Sequence, residues 1–504
     1  MPPRRRASER AASPVSLART APRRAQLLAP IVPLLATFAA WLPLRRNYFS
    51  GDDFFHLYDF VTRPLSSLLG QVWGGHLLVL YNAAFWTMFQ LFGTDPRGYA
   101  WTVILTHLLN TFLVFQVIRP HGLVLACFGA LLWGTCPVLA GTLGWYSVYG
   151  QVLLTTLVLS VLWSLERVRR SGAPLSAATA TVWVVVLAAG ATSFGTGLGV
   201  AAAFPVAVAL ALPVRQLPRG SLLVLAVGAV VTVLGYELAV AHSPDMTPAT
   251  RALLADSSRA PGVVGLSVHL LGFGASALLF DALGAHQRFP DWTQLASVAV
   301  VAILVLAAGA STDAAGRRRL AALCVLVAGA YGAIAAGRSA VYASMSVPFA
   351  TAAKAARYHY LPLALLVLLV CAALVEVGRR GAVASRVVSG ALVLWMIVRL
   401  VVLAASPFPI ELGDKQRAEV AEVFRTIDAQ ADRTPAGDVV LIQNRPFDTS
   451  VYAPAFLPGW AGLFVVFSSE NSVDGRPVRF AVDEDDWQRA HARGGRIAEL
   501  VVRR

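Results

Sequence analysis

Long apolar segments, separated by short polar loops, recur along the first 405 residues of the chain. Most of them approach the roughly 20 residues that a helix needs to cross the hydrocarbon core of a bilayer. They lack the polar face that a helix on the surface of a soluble protein carries. The pattern therefore predicts an all-α polytopic membrane protein. The apolar runs lie at about 25–44, 75–93, 98–118, 122–140, 146–165, 176–190, 194–212, 221–241, 263–283, 293–311, 319–336, 358–377 and 384–404.

Two of these runs differ from the others in their polar content. The run 75–93 contains His76 and Asn82, and the run 263–283 contains His269 and several glycines. A helix with such residues can lie in the membrane interface, or re-enter it, instead of crossing the bilayer. With both runs excluded, we predict about 11 transmembrane helices, accompanied by interfacial helices.

Clusters of arginine predict the orientation of the chain in the membrane. The N-terminal tail is rich in arginine, and further clusters lie at 166–170, 317–319 and 379–380. An excess of Lys and Arg marks cytoplasmic loops. With eleven crossings all of these clusters fall on one side, which predicts a cytoplasmic N-terminus and an extracytoplasmic C-terminal domain. Lysine occurs only at positions 354 and 415 while alanine and arginine abound, as in GC-rich bacteria, so the predicted location is the bacterial cell (inner) membrane.

The overall composition agrees with a membrane protein. Hydrophobic residues make up 57% of the chain and charged residues 14%, and the mean hydropathy is +0.63. The net charge of +14 lies in the tail and in short loops, a placement that argues against nucleic acid and for membrane lipids as partners. The four cysteines lie inside apolar runs without paired spacing, so neither a disulfide framework nor a zinc site is predicted.

Polar and acidic residues return in the C-terminal part of the chain. Two short apolar runs there, 438–442 and 463–467, have the pattern of buried strands, and 415–430 has that of an amphipathic helix. We therefore predict three parts: a basic cytoplasmic tail (1–24), a transmembrane domain (25–405) and a small extracytoplasmic α/β domain (406–504).

Two adjacent carboxylates, Asp52 and Asp53, follow the first predicted span. Charged groups at a membrane boundary are costly and are often functional. One carboxylate could act as a general base on an acceptor hydroxyl while the other orients it or helps to hold a divalent cation. Alternatively, Ser50 or Asp52 could cap the N-terminus of a helix that begins near Asp53.

A second polar segment, Lys354 to Pro362, enters the span predicted at 358–377. Arg357 stands at the extracytoplasmic mouth of that helix, where a guanidinium can hold a phosphate with two hydrogen bonds. The alternative is that Arg357 extends to the interface and that Tyr358 and Tyr360 anchor the helix there.

Several motifs follow one another along the chain: Gly51-Asp52-Asp53-Phe54, Thr62-Arg63-Pro64-Leu65-Ser66, Leu91-Phe92-Gly93-Thr94-Asp95-Pro96, Thr106-His107-Leu108-Leu109-Asn110, Cys136-Pro137-Val138 ahead of Trp145-Tyr146-Ser147, and Ala356-Arg357-Tyr358-His359-Tyr360-Leu361-Pro362. Their order resembles the GT-C membrane glycosyltransferases. The resemblance covers roughly residues 25 to 405 and is closest to protein O-mannosyltransferases, their tetratricopeptide-bearing relatives and bacterial glycosyltransferase 39-like proteins. Many relatives have Asp-Glu where this chain has Asp52-Asp53, and the repeat domain of some relatives is absent.

This resemblance implies an enzyme, an inverting glycosyltransferase that uses a polyprenyl-phosphate-linked sugar. The acceptor would be an extracytoplasmic hydroxyl of a protein, lipid or glycan. Asp52 is the implied catalytic base, with Asp53 as the second candidate. The donor-binding candidates are Arg357, Tyr358, His56 and Lys354. No cofactor is implied beyond the divalent cation considered for Asp52 and Asp53.

Two other classes of membrane protein remain as alternatives. A transporter or lipid-linked sugar flippase would carry an internal repeat and charges near the centres of spans, and the sequence shows no repeat. An O-antigen ligase or polymerase also uses lipid-linked sugars. Such enzymes tend to have a large late outer loop with paired arginines, whereas the loop 337–357, with Arg338 and Arg357, is short.

Overall fold

The computed structural model describes residues 23–49, 52–73, 75–243, 260–280, 291–405, 439–443, 478–480 and 497–501. Helices make up nearly all of the first 405 residues within these ranges, as the apolar pattern predicts. The α-helices are α1 (Arg23–Leu28), α2 (Ile31–Trp41), α3 (Asp53–Thr62), α4 (Leu65–Leu69), α5 (Val79–Phe92), α6 (Pro96–Ile118), α7 (Leu123–Gly134), α8 (Ala140–Leu143), α9 (Tyr149–Ser171), α10 (Ala177–Ala191), α11 (Thr196–Ala211), α12 (Arg219–Ala241), α13 (Ala260–Phe280), α14 (Trp292–Ser311), α15 (Ala314–Ser344), α16 (Phe349–Ala352), α17 (Tyr360–Gly378) and α18 (Ala382–Ala405).

Capping residues set the starts of several helices. Asp95 accepts a hydrogen bond from the backbone N–H of Arg97 at the start of α6, where Pro96 follows as the first helical residue. Ser176 caps α10 and Asp313 caps α15 in the same way. A side-chain oxygen at this position satisfies a backbone N–H that has no partner inside the helix. Local sequence therefore fixes where these helices begin.

Nine of the helices in the described part of the chain are long and apolar enough to cross a membrane. A tenth span results if α7 and the segment Pro137–Leu143, bent by 44°, count as one. The outer helices α12 and α18 expose rows of apolar side chains, among them Leu234 and Leu394, which are 62% and 63% exposed. Such surfaces require a lipid environment. The chain is thus an all-α multi-pass membrane protein.

All eleven runs that were predicted to cross the membrane form helices. Two of them, α10 and α11, have only 15 and 16 residues and are not among the nine long apolar helices. As predicted, α5 is not among the long apolar helices, because it has only 14 residues. The exact number of crossings stays a prediction.

The bundle has two ends, which we name after Asp52 and Glu166. At the Asp52 end, Ser147 just before α9 donates to Asp53 at the start of α3, and Arg338 and Arg357 lie close enough to Asp52 to lower its pKa. The Glu166 end contains the other end of α9. His121, Arg169, Arg319, Glu376 and Arg379 gather there with Glu166.

Helix α13 has the length and apolar composition of a span, yet its contacts stay at the Asp52 end. Gly262 lies against Ser339 of α15, and Ser276 donates to Ser297, in the second turn of α14. A helix rises 1.5 Å per residue, so these two positions are about 21 Å apart. Because α14 starts at the Asp52 end, where Asp291 pairs with Lys354, α13 lies across that end.

Helix α17 forms the centre of the bundle. Its residues Leu363 to Val367 are completely buried. On another side of the core, α11 and α15 approach closely at Gly199 and Gly329, where either glycine would bring an added Cβ against the other's backbone. Small residues allow such close helix packing in membranes.

The break after α7 is held by buried polar side chains. Gly134, the last residue of α7, offers its carbonyl to the indole N–H of Trp41 at 2.7 Å and to the ring Nε2 of His107 at 2.9 Å. The carbonyl would otherwise lack a helical partner at the end of α7. These bonds fix the turn that carries the chain from α7 to the Asp52 end.

Five short strands complete the described structure. Val72–Trp73 (β1) and His76–Leu77 (β2) form an antiparallel pair before α5. Near the C-terminus, Val439–Gln443 (β3) lies between Val478–Phe480 (β4) and Ile497–Val501 (β5) in a parallel sheet. The strand predicted at 438–442 is confirmed. The strand predicted at 463–467 and the helix at 415–430 lie outside the described residues, as does the tail up to residue 22.

Candidate functional site

Asp52 is the N-cap residue of α3, but its side chain makes no capping hydrogen bond. The residue is partly buried at the start of the helix. Within the described residues, no hydrogen bond to the Asp52 carboxylate is found. The capping role considered for Asp52 is therefore not realised, and Ser50, the other capping candidate, lies outside the described residues.

Asp53 has a different environment from its neighbour. It is fully buried, and its Oδ1 accepts hydrogen bonds from both the backbone N–H and the hydroxyl of Ser147, each at 2.6 Å. These charge-assisted bonds are stronger than bonds between neutral groups. They connect the start of α3 to the turn before α9. Asp53 therefore has a clear structural task, and Asp52 is the better candidate for chemistry.

Arg357 lies between two aromatic rings at the Asp52 end. Its guanidinium carbon is 5.5 Å from the ring centre of Trp145 and 5.0 Å from that of Tyr358. Its Nη2 donates to the Tyr358 hydroxyl at 3.4 Å, and its carbonyl accepts from Thr142 at 3.5 Å. Aromatic faces attract a cation and limit its motion. The arrangement therefore holds the guanidinium in place without a carboxylate partner among the described residues.

Two hydrogen bonds of His359 hold the turn that carries Arg357. The ring Nε2 of His359 donates to the carbonyl of Ala353 at 2.7 Å, and its Nδ1 accepts from Tyr331 at 3.1 Å. On the other side, Gly141 lies so close to Ala356 that an added Cβ would meet the Ala356 Cβ at 2.5 Å. Both contacts restrict the position of Arg357.

Arg338 is a second arginine at this site, close to the end of α15. Its Nη2 donates to Nε2 of His76 at 3.1 Å. The His76 ring stacks on Phe194, with centres 5.2 Å apart. Burial, together with Arg338, lowers the pKa of His76 to about 3, so the ring is neutral and can accept this hydrogen bond.

Opposing influences set the charge of Asp52. Burial raises the pKa of its carboxyl above the ordinary 3.8, and the positive charges of Arg357 and Arg338 counteract part of that increase. Burial also acts on Tyr358, but Arg338, Arg357 and a 2.8 Å hydrogen bond with Tyr342 outweigh it and lower the pKa of the Tyr358 hydroxyl. The two arginines therefore influence a carboxylate and a phenol at once.

Two predicted donor-binding residues have other surroundings. His56 is buried among the rings of Phe60, Trp73, Tyr81 and Phe85. Burial lowers its pKa to about 3, so it is neutral. Lys354 forms a half-exposed ion pair with Asp291 at 2.8 Å. Of the predicted site residues, the structure brings together Asp52, Arg357 and Tyr358.

Three observations bear on the divalent cation considered for the two aspartates. Asp53 uses Oδ1 for Ser147, and Arg338 and Arg357 place positive charge beside Asp52. In the part of the chain that the structure describes, no group of three or more His, Cys, Asp or Glu side chains could hold a metal ion. The divalent cation considered for Asp52 and Asp53 stays a prediction.

The sequence alone predicts no role for His76 or Tyr342, and it suggests Arg338 only for the ligase alternative. The residues lie on separate elements, β2 and α15, so spacing along the chain does not relate them to Asp52. The available signal for Arg338 was its charge near the end of an apolar helix, where ionisable residues are rare.

Comparisons with known proteins give no family for this chain. No protein-family model matches it, and no curated protein sequence does.

Proposed function

We propose that the chain is an inverting glycosyltransferase of the GT-C type, which transfers a sugar from a polyprenyl-phosphate donor to a hydroxyl group. One observation carries the proposal. Asp52 makes no hydrogen bond with the described residues and has two arginines close to its carboxylate, whereas the adjacent Asp53 is bonded to Ser147. A carboxylate and cations on one side of a membrane protein are what this reaction requires.

Asp52 serves as the general base. Burial raises its pKa, and a carboxylate with a higher pKa is a stronger acceptor for the proton of an attacking hydroxyl. Arg338 and Arg357 counteract part of this increase and so favour the ionised form that accepts a proton. The acceptor oxygen attacks the anomeric carbon, its proton passes to Asp52, and the bond from that carbon to the phosphate oxygen breaks.

Arg357 and Arg338 stabilise the leaving phosphate. Negative charge develops on the phosphate as the bond to the sugar breaks, and fixed cations beside it lower the energy of the transition state. Trp145 and Tyr358 hold Arg357 in place before the donor arrives. Such preorganisation makes the electrostatic contribution larger than that of a mobile side chain.

The proposal includes an orientation in the membrane. The arginine-rich loops around Arg169, Arg319 and Arg379 lie at the Glu166 end, which supports a cytoplasmic location for that end. Eleven crossings then put the Asp52 end outside, with α5 and α13 in the interface and the C-terminal α/β domain also outside. The membrane is the inner membrane of a bacterium. A lipid-borne donor reaches Asp52 sideways from the bilayer.

The test is sugar transfer in membranes that contain the wild type, Asp52→Asn or Asp291→Asn. Asp291 is a matched control because it is a half-exposed carboxylate at the same end, paired with Lys354. A panel of radiolabelled polyprenyl-phosphate and polyprenyl-diphosphate sugars identifies the donor. We expect transfer by the wild type and Asp291→Asn and none by Asp52→Asn. Undiminished transfer by Asp52→Asn contradicts the assignment of the base.

An O-antigen ligase or polymerase is the second candidate, and the presence of two arginines near Asp52 favours it. Arg338 and Arg357 together could neutralise a diphosphate better than a monophosphate. Transfer from diphosphate-linked sugars alone would select this candidate. Absence of transfer from every donor, with folded protein, would instead favour the transporter or flippase alternative.

A further inference from the structure

A cavity opens at the Glu166 end, across the bundle from Asp52. It lies between α6, α7, α9, α11, α15 and α17 and is open to solvent at its mouth. Its inner wall is apolar and includes Leu162, Ala211, Leu326, Leu368 and Cys371. Concave sites with mostly apolar walls and a few polar groups are typical ligand sites.

The mouth of this cavity carries charged residues from three of those helices. Glu166 and Arg169 of α9 form a bidentate pair at 2.7 and 2.9 Å. Nearby, Glu376 of α17 pairs with Arg379 at 2.8 Å. Each of these two glutamates therefore has its own arginine, and each pair has no net charge. Arg319 of α15 adds a further positive charge at the mouth.

Arg319 and His121 form a pair with unmet hydrogen-bonding capacity. Nη1 of Arg319 lies 3.2 Å from Nδ1 of His121. Arginine can only donate, so Nδ1 accepts and the proton of the neutral ring is on Nε2. The His121 side chain is only 7% exposed, and Nε2 has no hydrogen-bond partner among the described residues. Its closest acidic oxygen, Oε1 of Glu166, is 3.6 Å away, beyond hydrogen-bond distance.

We propose that this cavity binds an anionic phospholipid, with one acyl chain between the helices and the phosphate at Arg319 and His121. The net charge of the mouth is positive, because Arg319 is in excess over the two balanced pairs. Nε2 of His121 supplies a donor that needs an acceptor, and a phosphate oxygen provides one. The apolar wall matches an acyl chain and not a free anion. Basic pockets between membrane helices are known to hold the headgroups of anionic lipids.

This site is separate from the proposed transferase site and does not depend on it. The two lie at opposite ends of the bundle, because α9 begins beside Asp53 and reaches Glu166 about five turns later. A lipid between α6, α9, α15 and α17 would stabilise the helices that also form the Asp52 end.

The test measures lipid binding to the full-length protein in detergent by native mass spectrometry. The probes are lysophosphatidylglycerol, lysophosphatidylcholine of the same chain length, and inorganic phosphate. The variants are Arg319→Gln, which removes the charge, and Ala211→Phe, which fills the cavity. Arg380→Gln is the control, because Arg380 is an exposed arginine at the same end that donates to Ser311 and does not line the cavity.

We expect the wild type and Arg380→Gln to prefer the anionic probe by about fivefold, the effect of one arginine on an anionic lipid. Arg319→Gln should lose this preference, Ala211→Phe should lose both lipids, and phosphate alone should not bind. Equal binding of the two lipids by the wild type overturns the proposal, as does binding of neither. Binding of phosphate that Ala211→Phe leaves unchanged shows a simple anion site and also overturns it. If Arg319→Gln does not fold, retained anionic-lipid binding by Ala211→Phe decides against the proposal.

Discussion

Ser147 donates two hydrogen bonds to Asp53, one from its backbone N–H and one from its hydroxyl, both at 2.6 Å. This pair of hydrogen bonds joins α3 to the turn before α9 and distinguishes Asp53 from Asp52. Adjacent carboxylates that look equivalent in the sequence therefore have different tasks.

Replacing Ser147 by alanine should destabilise the protein by about 1.5 kcal/mol, because a buried hydrogen bond to a charged acceptor is lost. Ser67→Ala is the control, since the Ser67 hydroxyl is exposed and donates only to the carbonyl of Pro64 among the described residues. Stability is measured as the temperature at which half of the protein leaves the monodisperse peak on size exclusion. Equal temperatures for the two variants would show that the Ser147 bond does not hold the junction.

The carboxylate of Asp52 should reduce stability at neutral pH. Its pKa in the folded protein is above the ordinary 3.8 because of burial, so the folded state binds the proton more tightly than the unfolded state. The contribution of Asp52 to the free energy of unfolding is then greatest below pH 3.8, and it decreases as pH rises through the pKa of Asp52 in the folded protein. Asp52→Asn should be as stable as the wild type at low pH and at least as stable at pH 7.

The same melting measurement, repeated from pH 4 to pH 8, checks this prediction, with Asp291→Asn as the control. A clear loss of stability in Asp52→Asn at pH 7 would mean that the carboxylate makes a stabilising contact. For the proposed reaction, transfer should rise with pH as Asp52 loses its proton.

Arg357→Gln and Arg338→Gln should each reduce transfer by about 100-fold, because a fixed group that stabilises developing charge has been removed. Each change also removes a charge that lowers the pKa of Asp52. The pH at which the remaining activity is half-maximal should therefore increase. A rate loss without that shift would indicate that the arginine acts only on the donor.

Lys354→Gln should change transfer by less than about threefold, since the side chain forms a half-exposed ion pair with Asp291 and such pairs contribute little. This variant tests the predicted donor-binding role of Lys354 against the surroundings that the structure gives it. A loss of transfer as large as that of Arg357→Gln would support a donor-binding role for Lys354.

Gly141→Ala should lower both stability and transfer. The new Cβ would lie 2.5 Å from the Ala356 Cβ, so the turn that carries Arg357 must move, and overpacking of this kind typically costs about 1–3 kcal/mol. Gly70→Ala is the matched control at the same end, because a Cβ there meets nothing within 4 Å. Wild-type transfer by Gly141→Ala would show that the turn tolerates displacement.

His56→Phe should retain transfer, because His56 is a neutral ring among four aromatic rings. The folded pKa of about 3 lies below the ordinary 6.5, so the wild type loses stability as pH falls below 6.5, where the unfolded state takes up a proton. The variant should lose less over that range. A selective loss of transfer at unchanged stability would support a donor-binding role for His56.

The sequence by itself determined the membrane class and the positions of the helices. A bilayer offers no hydrogen bonds to a polypeptide backbone, so crossing segments must be long, apolar and helical. Each segment meets this requirement through its own length and composition, so it can be recognised without knowing its neighbours. For the same reason the unusual polar content of 75–93 marked a helix that is not among the long apolar ones, and the carboxylates after α2 marked the Asp52 end.

Only the tertiary structure decided which polar groups meet. Asp52, Arg338 and Arg357 lie on three elements that are far apart in the sequence, and apolar periodicity gives no information about which helices become neighbours. In the structure, Asp53 accepts hydrogen bonds from Ser147 and Asp291 pairs with Lys354. Each carboxylate binds the donor that the packing of the helices brings within reach. Local patterns fix burial and helical form, whereas partner choice depends on the arrangement of the whole bundle.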